Sequence, residues 1–223
     1  MTFITWLLAF VLAAAHPAAD AQRFDYLVRA DFFAGVAGDA ARLQKAIDVC
    51  ERVLADNPTH PEALVWHGAA MLVQAGQAFA TGDMAAGGSL FGRALKEMDD
   101  AAALAPDNPG VLIPRAAVLL EATRGMPPDM ARPLVQSAVV NYEHVLEVQA
   151  PVWRTLGDHG KGELLFGLAE AAARLGQADK ARMYFERLIS DAPTSGQTSK
   201  ARAWMTTGAI PQSNGTSCVG CHK

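Results

Sequence analysis

Apolar residues return at three- and four-residue intervals from Phe24 to Ala203, and no stretch keeps the two-residue rhythm of a strand. The clearest segment is GELLFGLAEAAARLGQADKARMYFERLISDAP, residues 162 to 193. Leu165, Leu168, Ala169 and Ala172 share one face of a first helix. Gly176 supplies a turn, and Ala181, Phe185 and Leu188 line a second helix that Pro193 stops. Small residues at Ala169 and Ala181 let two antiparallel helices approach, while Phe185 and Leu188 fill the space toward the next pair.

The second-helix spacing recurs. Ala46, Cys50, Val53 and Pro58 stand at the same offsets, as do Ala94, Met98, Ala101 and Pro106. Ala138, Tyr142 and Val145 repeat it, with the proline one position late at Pro151. This pattern resembles the tetratricopeptide repeat. The resemblance implies an all-α array, an α-solenoid of about four helix pairs closed by a capping helix, here roughly Gln197 to Met205. It also implies a concave groove, lined by the first helices, that binds peptides or other proteins.

Two departures stand out. Pro58 to Pro106 is 48 residues and Pro106 to Pro151 is 45, against a usual repeat of about 34. The excess falls in a glycine-rich stretch, residues 76 to 92, and in residues 123 to 133, where Pro127 and Pro128 must break any helix. Longer helices and inserted loops both account for these lengths.

The composition suits close-packed helices, being 51% hydrophobic and only 7% aromatic. A net charge of −4 gives no footing for a nucleic-acid binder. Thr2 to Ala15 is an unbroken apolar run, too short to cross a bilayer comfortably but suited to the core of a signal peptide. Ala19-Asp20-Ala21 supplies a cleavage site, so the mature chain is expected to begin at Gln22, exported and free of the membrane. No Lys or Arg precedes the apolar run, which leaves an uncleaved membrane anchor as the alternative. The expected organisation is a leader over 1–21, a repeat domain over 22–205, and a turn-rich tether with a terminal motif over 206–223.

That motif is Cys218-Val219-Gly220-Cys221-His222. Two cysteines three apart, with histidine directly after the second, is the arrangement for covalent attachment of a c-type haem. Cys218 and Cys221 would form the thioethers, and His222 would take the proximal position on the iron. Export and this motif support each other, because in bacteria such haem is attached on the far side of the inner membrane, in the periplasm. A redox dithiol or disulfide is the first rival. Zinc is the second, although a closed site needs four ligands. The motif leaves no donor downstream for the sixth position except Lys223, so it must be filled from the repeat body, by a partner chain or by water. Met205 and His159, the latter in a loop over residues 155–163, are the candidates from the body, with His144, His60 and His67 behind them. Arg154 and Lys161 could meet haem propionates.

Cys50, within a helical pattern, reads as a small buried thiol. Glu163 and Glu170 share a helix face and read as solvated groove carboxylates. No enzyme constellation stands out: the sequence has neither a phosphate loop after a strand nor His-Glu-x-x-His. The resulting expectation is an exported repeat scaffold that docks a protein or peptide, such as a redox protein, and carries one haem c for electron transfer. The competing expectation is a periplasmic adaptor or assembly factor whose Cys-x-x-Cys is a disulfide or unused.

Overall fold

The computed structural model describes residues 23–209. The leader, its cleavage site and the Cys218–His222 motif lie outside the described residues. Nine α-helices are present among them: α1 (Asp25–Val36), α2 (Ala40–Asp56), α3 (Pro61–Ala80), α4 (Met84–Leu104), α5 (Pro109–Ala122), α6 (Pro128–Val148), α7 (Asp158–Arg174), α8 (Ala178–Asp191) and α9 (Thr198–Thr207). Short 3₁₀ turns at Thr123–Gly125 and Ala150–Thr155 follow α5 and α6. No strand occurs among the described residues.

The helix starts are written in the sequence. Asp39, Asp83 and Asn108 each accept a hydrogen bond from a backbone N–H of the first turn that follows them. His60 does the same through Nδ1, 3.1 Å from the nitrogen of Ala63. Prolines open α3, α5 and α6, where a missing N–H costs nothing.

Successive helices pack as antiparallel pairs, α1 with α2, α3 with α4, α5 with α6 and α7 with α8, and α9 covers the last pair. First helices also touch one another in series, α1 to α3, α3 to α5 and α5 to α7. The array is therefore tetratricopeptide-like, with four pairs and a cap. Ala169, Ala181, Phe185 and Leu188 are all completely buried, as the spacing required. The turn residue Gly176 has φ +76°, a left-handed conformation that favours glycine.

The excess length in the second repeat is helix, not loop. Gly68 of α3 crosses Ala94 of α4, where a Cβ would lie 2.9 Å from the Ala94 carbonyl oxygen. Those partners are 26 residues apart, whereas Ala169 and Ala181 are 12 apart. The 14 extra residues extend each helix by about two turns, and the hairpin closes through Thr81-Gly82-Asp83. The glycine-rich stretch thus builds a long hairpin tip. In the third repeat the prolines end matters as expected: α5 stops at Ala122 and α6 starts at Pro128.

The first pair is tied by charge. Asp31 of α1 has its carboxylate buried against Arg42 and Lys45 of α2, with the Lys45 ammonium at 3.0 Å. Burial pushes the Asp31 pKa up, but the hydrogen bonds from Lys45 and Arg42 outweigh it, leaving the carboxyl below its ordinary 3.8. A folded pKa below the unfolded one stabilises at every pH above the ordinary value, and that contribution is lost as pH falls through the lowered value. The urea midpoint of the native chain should therefore fall on acidification below about pH 4. The Asp31→Asn variant, compared at each pH by circular dichroism, should start lower and show a shallower acid decline.

Candidate functional site

Cys218, Cys221 and His222 lie outside the described residues, so the body is where geometry can be examined. Met205 sits on α9, half-buried against the core. His159 is the second residue of α7 and is exposed, not part of a loop, because that helix begins at Asp158. Asp158 accepts the Thr194 hydroxyl and backbone N–H at 2.6 and 2.9 Å and so closes the helix start onto the α8–α9 connection. Those two bonds hold its carboxyl below the usual carboxylate range.

The other histidines have structural work. His60 caps α3 and stacks on Phe24 at 5.2 Å. His67 joins α3 to α4 through Glu97 at 2.6 Å and faces Glu51 of α2 at 3.8 Å. His144 meets Asp107 at 2.6 Å, tying α6 to the α4–α5 connection. No group of three His, Cys, Asp or Glu side chains among the described residues is arranged to hold a metal ion. Lys161 is buried beside the Trp153 ring, 5.8 Å from its centroid, while Arg154 is exposed on the 3₁₀ turn.

Cys50 is buried, as its helical position suggested. Burial, with Glu97 and Glu51 adding negative charge, pushes its thiol up to about 12. That leaves essentially no thiolate at neutral pH, and hence an inert sulfur.

The arrangement that sequence reasoning missed lies where α5, α6 and α7 meet. Glu170 is not a solvated groove carboxylate: it is 6% exposed and accepts two bonds from Arg124, at 3.1 and 3.3 Å. Burial of a carboxylate requires such a partner. Arg174, one turn further along α7, lies 3.9 Å from Glu170. It donates to the Leu120 carbonyl and to the Thr123 hydroxyl, both at 2.7 Å, and so satisfies the C-terminal end of α5. Burial pulls the Arg174 pKa down, Glu170 pushes it back up, and the like charge of Arg124 pulls it down further. Beside this knot is an open cavity of about 210 Å³ whose wall includes Arg124, Arg132 and Arg174 together with Met126, Val135 and Leu175. Arg124 and Glu170 are 46 residues apart, and only the stacking of repeats brings them together.

None of the helices among the described residues is long and apolar enough to cross a membrane. A family model described as a tetratricopeptide repeat matches residues 163–195, the α7–α8 hairpin with the start of the next connection. No curated protein matches the chain.

Proposed function

We propose that this chain is an exported helical-repeat scaffold that docks another protein on its stacked first helices and carries one covalently bound haem c. Tetratricopeptide repeats serve protein–protein interaction, and the array supports that coarser role. The observation that carries the finer one is the Cys218-x-x-Cys221-His222 sequence, joined to an apolar leader at the other end. The donor set suits the group: two thiols at the spacing of the porphyrin vinyls and an imidazole placed for the iron. Each thiol S–H adds across one vinyl C=C, so attachment needs no electron acceptor. The bound haem would supply a one-electron carrier beside a docked redox protein.

Among the body donors, Met205 or His159 would complete the iron's coordination.

The test is expression with a c-type maturation system, followed by a search for haem that survives denaturation. Covalent haem should appear, and Cys221→Ala should lose normal attachment; colourless native chain rejects the proposal. Met205→Ala and His159→Ala spectra then identify the sixth ligand, since its loss turns low-spin iron high-spin. The competing reading, an adaptor without haem, predicts native protein free of iron with its tail sulfurs either both titratable or joined as a disulfide. Cys50 does not confuse that titration, because its thiol is buried and its pKa is raised to about 12.

A further inference from the structure

We infer that the cavity between the α5–α6 turn, α6 and the end of α7 is a binding site for a short carboxylate ligand. Arg124, Arg132 and Arg174 line its wall, and no Asp or Glu does. The acidic groups nearby stand outside the lining: Glu170 and Glu121 pair with Arg124, and Asp129 lies on the first turn of α6. Two of the three cations are already held in place. Arg124 is fixed by Glu170, and Arg174 by Leu120 and Thr123. A site whose donors are ordered beforehand loses little entropy when an anion arrives. Arg132 is exposed and is paired with no carboxylate among the described residues.

The rest of the lining decides what kind of anion fits. Met126, Pro128, Val135 and Leu175 form an apolar flank. That flank favours a carboxylate on a hydrocarbon stem over a fully hydrated inorganic anion, and planar carboxylates match the guanidinium fork. At roughly 20–30 Å³ per heavy atom, a cavity of about 210 Å³ accepts a group of roughly seven to ten heavy atoms. The position is the edge of the array, at the turn between α5 and α6, and not the groove lined by the first helices.

Two sources can present this chemistry: a free short acid, or a haem propionate on the chain's own tail. The second source rests on the function proposed above. Helix α9 runs in step with α7, since Gln197 donates to Glu163 at 2.9 Å and Lys200 lies over Phe166 at 5.2 Å. Eight residues lie between Ala209 and Cys218, and the nine Cα-to-Cα steps span at most about 30 Å.

The experiment uses the full-length chain as Cys221→Ala, titrated with succinate by calorimetry, with inorganic phosphate as the comparison. Succinate should bind and phosphate should bind more weakly. Arg132→Gln should weaken succinate about tenfold or more, and Arg132→Lys should recover part of the loss. The exposed position of Arg132 leaves folding intact, which an unchanged circular dichroism melt verifies. Absence of succinate binding, or binding indifferent to Arg132→Gln, overturns the site. The same titration on haem-loaded protein assigns the source. Blocked binding identifies the tethered propionate, and unchanged binding a free acid. A chain that never acquires haem would sink the function proposed above while leaving the first titration fully informative.

Discussion

Phe185→Ala should lower the stability of the array by about 3–5 kcal/mol, the range for emptying a buried phenylalanine site. Phe185 is completely buried on α8. Its ring meets Phe166 of α7 edge-on at 5.9 Å and lies against Trp204 of α9 at 4.7 Å. One side chain therefore fastens the last pair to its cap, and aromatic contacts of this kind add to the area they bury. Arrays of stacked pairs hold together through neighbouring interfaces, so damage at the last interface should release the end first. In urea, Trp204 fluorescence should change at lower denaturant than the helical signal of the remainder. A loss under about 1 kcal/mol would mean that α9 adds nothing to the stack.

Gly68→Val should be the next most damaging substitution tested by urea or heat. A Cβ at this position lies 2.9 Å from the Ala94 carbonyl oxygen and 2.9 Å from the Met98 side chain. Met98 can shift, but the α4 backbone cannot without parting two long helices, of 20 and 21 residues. Overpacking of this kind costs about 1–3 kcal/mol, and the two further methyls of valine push toward the upper end. Gly76, two turns further along α3, gives the opposite expectation. Nothing lies within 4 Å of a Cβ there, so Gly76→Ala should raise the melting temperature, by up to about 1 kcal/mol of helix propensity. Equal effects from the two substitutions would show that α3 and α4 do not cross at Gly68.

The contrast also shows what the sequence could and could not reveal. The α7–α8 pair was legible because every signal agreed: period, Gly176 at the turn, Pro193 at the stop and small residues at the crossing. Capped starts at Asp39, Asp83 and Asn108 were equally local. The long α3–α4 hairpin was ambiguous because Gly76, Gly82, Gly87, Gly88 and Gly92 look like loop composition. Its helical character comes from packing, with Gly87 set directly against the Phe79 ring, 2.5 Å from where a Cβ would stand. The arginine-lined cavity left no local trace at all. Glu170 resembles a surface residue until Arg124, on the preceding pair, is folded against it. His159 was misplaced by its glycine-rich surroundings, which hide the start of α7 at Asp158.

Cys50 carries a consequence for the haem attachment proposed at the tail. Three sulfurs invite mispairing whenever an oxidant reaches an unfolded polypeptide, and here the unwanted partner of either tail cysteine would be the one in α2. Once α2 has packed and closed over it, Cys50 is 1% exposed and disappears from that competition. Collapse of the first two repeats ahead of oxidation would thus act as a chaperone in cis for the chemistry at the other end. Trapping Cys50 in a crosslinked by-product should become easier in any variant that loosens α2.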